Sequence, residues 1–214
     1  MPKAEGFPMF YEPKDGHGLP RSPFQACVVP RPIGWISTID RDGRPNLAPF
    51  SYYNAALTSP PMVMFTNSAH PEAKSGRPAK DTLVNIENTR EFVANMVTYD
   101  LRDAMNASSA HVGVGVDEFA LAGLETAPSR LVRAPRVKAA PIHLECTLFQ
   151  IVDLPGGPGR NAIVIGNVVG IHIDESVLTD GFVDMHKLNP LSRLGYKDYA
   201  TLGDIFPIDR PDHG

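Results

Sequence analysis

Two short stretches in the first half of the chain combine residue types that can hold a ligand. In Lys80-Asp81-Thr82, an ammonium and a hydroxyl stand at the head of a segment that reads as a short helix. A helix N-terminus adds unpaired amides and positive dipole, so the trio can receive an anion. Lys74 and Arg77 lie just upstream, whereas the Asp81 carboxylate would repel an anion unless it caps the helix and points away. A solvated basic turn with an ordinary N-cap has the same composition. The second stretch runs through Ser37-Thr38, Asn46-Leu47-Ala48-Pro49 and Ser51-Tyr52-Tyr53-Asn54. Its Pro and Ala residues leave backbone amides and a flat apolar surface for a planar ring, and Ser51 and Asn54 can supply donors to a polar edge. Hairpins without any ligand also carry Ser, Asn and Pro. A ring pocket, donors for a polar edge and an anion site are together what a phosphorylated flavin asks of a protein.

Other chemistries find fewer residues to work with. The seven histidines show neither an HExxH pattern nor paired ligand spacing, so no metal site is expected. Cys27 and Cys146 lie far apart without a CxxC, suggesting neither a disulfide framework nor a zinc site, and both read as buried thiols. Gly113 and Gly115 lack the third glycine and the preceding strand of a dinucleotide fingerprint. A net charge of -4 has the wrong sign for a nucleic-acid backbone. No apolar run reaches the roughly 18 residues of a membrane span, and residues 1–10 carry Pro, Lys and Glu where a signal peptide would be apolar. The expectation is a cytoplasmic protein with no membrane or nucleic-acid partner.

Many short elements must position these residues. Of the 214 residues 43% are hydrophobic, enough for a sizeable core in a single domain spanning 1–214, with an extension over about 1–22 and a tail over about 200–214. The 21 prolines and 18 glycines are spread from end to end, as turns between short strands require, so the expected class is mainly β with short helices. Residues 33–39 form a strand, Asp42-Gly43 makes a hairpin turn, and 46–53 return beside it. Pro60-Pro61 leads into a third strand at 62–66, and 92–97 is a fourth. Between them, 81–86 reads as a helix with a capping residue at its start and Leu83 and Ile86 on one face. Segments 101–110 and 118–124 are further helical candidates, the second closing at Gly123. Residues 142–152 alternate as a strand, Gly156-Gly157-Pro158-Gly159 turns the chain, and 162–173 is apolar enough for a strand buried on both sides. Trp35 is assigned to packing and Glu145 to a paired or edge position.

Taken in order, PRPIGWISTIDRDGRPNLAPFSYYNA, SPPMVMF, KDTLVNIENTREFVANMV, DEFALAGLETAPS, IHLECTL, IGNVVGIHI and DGFVDMHKLNPLSRLGYKDYA resemble the successive blocks of the flavin reductase-like family, which includes the reductase component of nitrilotriacetate monooxygenase. The match covers about residues 25–200. It implies an FMN-binding split β-barrel, paired as a homodimer with FMN in a cleft to which both subunits contribute. It also implies Ser37 and Thr38 beside the isoalloxazine ring, and Asn46, Leu47, Ala48 and Pro49 lining its face and edge. Ser51, Tyr52, Tyr53 and Asn54 would follow the ring edge and ribityl chain, with the phosphate at Lys80, Asp81 and Thr82.

The activity so implied is an NAD(P)H:FMN oxidoreductase, placed to supply reduced FMN to a monooxygenase component. Hydride transfer between stacked rings asks for proximity and orientation more than for an acid or base, so no catalytic proton donor is assigned. Arg193 and Tyr196 are the candidate substrate-binding residues. Here the sequence departs from the family, which commonly has Arg-Leu-Gly-Gly before a Tyr: Arg193-Leu194-Gly195 is followed directly by Tyr196. A ring at that position could narrow the nicotinamide pocket or stack on the flavin. The alternative function, from another class, is a non-enzymatic FMN electron-transfer protein of flavoredoxin type, reduced by a redox partner protein.

Overall fold

A computed structural model describes residues 9–68, 79–113, 115–156 and 159–211; Lys74, Arg77, Gly157 and Pro158 lie outside them. In chain order the strands are β1 (Arg31–Pro32), β2 (Gly34–Ile39), β3 (Pro45–Phe50), β4 (Tyr53–Thr58), β5 (Pro61–Asn67), β6 (Glu91–Met96), β7 (Thr126–Ala127), β8 (Arg136–Val137), β9 (Ile142–Leu154), β10 (Asn161–Ile173), β11 (Leu178–Thr179), β12 (Phe182–Val183), β13 (Ser192–Arg193) and β14 (Tyr199–Ala200). The α-helices are α1 (Phe24–Cys27), α2 (Asp81–Thr89), α3 (Arg102–Ala107), α4 (Glu118–Leu121) and α5 (Met185–Leu188).

Seven strands form one antiparallel sheet in the order β3-β2-β6-β9-β10-β5-β4. Its two edge strands are neighbours in sequence, since β3 passes to β4 through Ser51 and Tyr52 alone. The sheet must therefore curl until its ends meet, which gives a barrel split between β3 and β4. The seam is tight: a Cβ on Gly34 of β2 would sit 2.6 Å from the ring of Tyr53 on β4. No residue but glycine leaves room there for the tyrosine.

Inside the barrel, Phe50, Phe65, Phe92, Cys146 and Val164 pack together, with Phe65 centred 4.8 Å from Phe50 and 5.6 Å from Phe92. The amphipathic face of α2 closes this core with Leu83 and Ile86, both fully buried. Each such side chain stabilises the fold by on the order of 1.5–3 kcal/mol. Side chains then fix how the helix sits. Thr38 and Asn46 are cross-strand partners on β2 and β3. The Asn46 amide donates to Thr82 Oγ1 at 3.1 Å, and Asn85 donates to Thr38 Oγ1 at 3.1 Å. Thr82 and Asn85 are three apart, so one face of α2 is pinned twice to one hairpin. A second core, on the other side of β2 and β3, gathers Trp35, Leu47, Met105 and Phe119 beneath α3 and α4. There the Trp35 indole donates to Ser108 Oγ at 2.9 Å, a packing role with its polar atom satisfied.

Four expectations need correction. The strand expected over 46–53 stops at Phe50; Ser51 and Tyr52 bend, and a further strand begins at Tyr53, because the chain must cross the seam there. The strand over 162–173 is not buried on both sides: Val169, Ile171 and Ile173 in the far half of β10 are exposed, Ile171 to 56%. Of the two thiols only Cys146 is buried, since Cys27 ends a four-residue helix none of whose own residues is buried. Asp81 does not cap α2. Lys80 takes that position with φ -68° and ψ 152°, and its side chain makes no capping hydrogen bond.

Candidate functional site

Three depressions share walls along one side of the barrel. The first, about 260 Å³, lies at the start of α2 and is walled by Asn46, Ala48, Pro49, Lys80, Asp81, Thr82, Glu118 and residues 108–112. The second is lined by Ile33, Pro49, Ser51, Asn106, Ser109, Arg193 and Tyr199, and so meets the first at Pro49 and Ser109. The third, about 960 Å³, adds Tyr99, Arg102, Leu191 and Lys197 while sharing Met105, Asn106, Arg193 and Tyr199 with the second. They form a continuous groove with a narrow end at Lys80 and a wide end at Arg193.

The narrow end is built for an anion. The Lys80 ammonium lies 5.2 Å from the centroid of the Phe50 ring and has no carboxylate partner among the described residues. Burial alone pulls its pKa below the usual lysine range, a cost that a bound anion would relieve. Because Thr82 Oγ1 accepts from Asn46, its own proton is left to donate into the cavity. The uncapped first turn of α2 adds its amides and dipole.

Glu118 opens α4 in the same wall, and its Oε2 accepts the Leu47 amide at 3.1 Å. Burial pushes this carboxyl's pKa up, and the charges of Asp81 and Asp117 push in the same direction against the Leu47 hydrogen bond.

The wide end is cationic and aromatic. The Arg193 guanidinium stands 4.4 Å from the Tyr199 ring centroid and donates to the Tyr196 carbonyl, while Arg102 lies 4.1 Å from the Tyr99 centroid. Tyr196 takes the left-handed conformation with φ 56°.

The structure thus brings together Asn46, Ala48, Pro49, Lys80, Asp81 and Thr82 at one end, with Ser51 and Arg193 further along the groove. The other residues singled out in the sequence line none of these depressions. Ser37 and Thr38 are fully buried behind the wall, where Ser37 donates to the Pro135 carbonyl and Thr38 anchors α2. The Leu47 side chain belongs to the second core. Tyr53 packs over Gly34, Tyr52 lies within 5.5 Å of the Arg31 guanidinium, and Asn54 accepts from the Ala55 amide at the exposed edge of β4. Tyr196 also lies off the walls. Sequence reasoning missed Asn106, Ser109, Glu118 and Tyr199. Ser108 and Ser109 fell inside the segment 101–110 read as helical, whereas the helix ends at Ala107 and leaves both serines in the turn after it. An acidic residue at the head of a helix carried no signal.

The flavin reductase like domain family matches residues 26–192, and the chain belongs to that family. An uncharacterized protein of Aquifex aeolicus is 36% identical over 174 residues, 81% of this chain and 85% of its own length. Nitrilotriacetate monooxygenase component B from Bacillus cereus superposes with a TM-score of 0.79 at 29% identity, covering 86% of this chain and 90% of its own. The 2-nitrobenzoate 2-nitroreductase of Pseudomonas fluorescens superposes with a TM-score of 0.76 at 27% identity over 89% of each chain. Family and neighbours agree on a flavin reductase-like split barrel.

Proposed function

We propose that the groove holds FMN, with its phosphate at Lys80 and Thr82, and that the protein is an NAD(P)H:FMN oxidoreductase. The observation that carries the reading is the partly buried Lys80 ammonium at the uncapped start of α2, unpaired among the described residues and beside a hydroxyl with a proton to give. Ala48 and Pro49 of β3 would offer the flat wall for the ring and Ser51 a donor near its edge. When bound, the flavin supplies the hydride-accepting chemistry. The chain's own residues bind and orient. Lys80 and Thr82 anchor one end, and at the wide end Arg193, Lys197 and Arg102 outnumber Asp103, which pairs with Arg102 at 3.6 Å, leaving the positive charge that an anionic dinucleotide requires.

Two further features belong to this reading. Phe149 and Val152 on β9 and Val169, Ile171 and Ile173 on β10 are exposed, Phe149 and Ile171 to 56% each, which supports burial of this ribbon in a homodimer. The name of the Bacillus cereus neighbour supports a monooxygenase component as the consumer of reduced flavin. Stopped-flow mixing of the FMN-loaded protein with NADH or NADPH under anaerobic conditions tests the activity: the flavin absorbance is expected to bleach in a single turnover. Bleaching by neither nucleotide, in protein that a reduced ferredoxin does bleach, would favour the flavoredoxin-type carrier.

A further inference from the structure

A buried carboxyl in a cavity otherwise suited to an anion needs an explanation. Glu118 is only 8% exposed, and its place is fixed by the Leu47 amide, which donates to Oε2 at 3.1 Å. That amide belongs to an edge strand, and α4 covers the edge so that the carboxyl, rather than water, takes the hydrogen bond. The same carboxyl lines the cavity that holds Lys80 and Thr82. It forms no ion pair among the described residues, with Lys80 or with any other cation.

Of the charged groups around it, Asp81 at the head of α2 and Asp117 at its own helix cap are both acidic, and both disfavour its ionised form. Lys80 and His111 share the cavity wall, and β3 presents the uncharged Asn46 and Leu47. A carboxylate here would repel a phosphate monoester in the same small space. A carboxylic acid would instead donate to it.

Building on the phosphate site proposed above, we propose that Glu118 is a binding residue of that site and enters it as the neutral acid, Oε2 held by the Leu47 amide and the acid proton given in a hydrogen bond to a phosphate oxygen. The balance is simple. Where Glu118 is ionised in the empty protein, binding takes up one proton from solvent, no bond is broken, and the proton is shared between carboxyl and phosphate oxygens. Phosphate affinity then falls as pH rises through the titration of Glu118. The ligand alone predicts the opposite, since a monoester gains negative charge above about pH 6 and should be held more tightly by Lys80.

The test compares FMN with riboflavin, which lacks the phosphate, by flavin fluorescence quenching on the full chain from about pH 4.5, the ordinary carboxyl value, up to about pH 9. Glu118→Gln is the informative variant, because its amide oxygen can still accept from Leu47 while no charge can form. Expected are an FMN affinity that falls several-fold across this range in the wild type, a riboflavin affinity that stays level, and in Glu118→Gln an FMN affinity that no longer falls. Calorimetry in two buffers of different ionisation heat should show net proton uptake with FMN and none with riboflavin, a reading on the wild type that stands even if the variant fails to fold. An FMN profile unchanged by Glu118→Gln, or FMN binding without proton uptake at the alkaline end, would overturn the assignment while leaving the phosphate site in place. Equal affinities for FMN and riboflavin throughout would overturn the phosphate site and Glu118's role in it together.

Discussion

The Asn46 amide donates to the Thr82 hydroxyl at 3.1 Å, and through this contact the strand that lines the groove holds the helix whose first turn faces it. Both residues are buried in the cavity wall, so the loss of one partner leaves the other with little access to a replacement. Thr82→Val keeps the shape and removes the acceptor, leaving the Asn46 amide with one hydrogen bond fewer. The expected loss is about 1–3 kcal/mol of folding stability, read by denaturant unfolding of the flavin-free protein. FMN affinity should fall as well, because the proton donated into the cavity disappears with the hydroxyl.

Lys80→Ala separates the phosphate from the ring. Removing a charge-assisted contact should weaken FMN binding by about 1–3 kcal/mol, roughly 5- to 150-fold, and leave riboflavin binding nearly unchanged. Fluorescence titration of both ligands against both proteins decides it. Equal losses for the two flavins would move Lys80 from the phosphate to the ring.

What could be read from the sequence, and what could not, follows from how local each signal is. Strands β9 and β5 and helix α2 were legible because alternation, a Pro-Pro entrance and an i, i+3 apolar pair are properties of contiguous residues. The break between β3 and β4 was not. It exists because Tyr53 must lie over Gly34 across the seam, a contact between β4 and β2, which stand five places apart in the sheet order. For the same reason Ser37 and Thr38 pass for groove residues in the sequence. Their hydroxyls are taken by Pro135, Asn95 and Asn85, partners from 47 to 98 positions away. Glu118 lay beyond reach, since its meaning comes only from the strand edge that α4 covers.

Glu145 illustrates a buried charge that is fully paired. Its carboxylate accepts from the amides of Arg130 at 2.8 Å and Leu131 at 2.6 Å and from the His172 ring, and no part of the residue is exposed. Burial pushes its pKa up, but the two amides and His172 outweigh this and hold it below the usual carboxylate range. A folded-state pKa that is depressed contributes stability that is present above the unfolded value and is lost as pH falls through the folded one. Glu145→Gln should therefore cost about 2–4 kcal/mol near neutral pH and progressively less in acid, below about pH 4. Thermal melts of both proteins across that range check the sign, and a difference that stays constant with pH would mean that the charge contributes nothing.

Tyr196 stands where the family commonly has the second of two glycines, and the structure gives the two positions different reasons for being small. A Cβ on Gly195 would come within 2.5 Å of the Ala26 Cβ, so that glycine is demanded by packing. Position 196 is demanded by backbone instead: its φ is 56°, a conformation that costs a side chain of the L series about 1 kcal/mol and glycine nothing. The carbonyl, not the ring, makes the residue's contact with Arg193, and the ring lines no part of the groove. Tyr196→Gly is therefore expected to relieve strain and raise the melting temperature by about 2–4 °C, while the anaerobic rate of flavin reduction by NADH or NADPH changes less than about twofold. If the reduction rate rises several-fold with no gain in stability, the ring occupies the nicotinamide's space in solution and Tyr196 belongs to the substrate site after all.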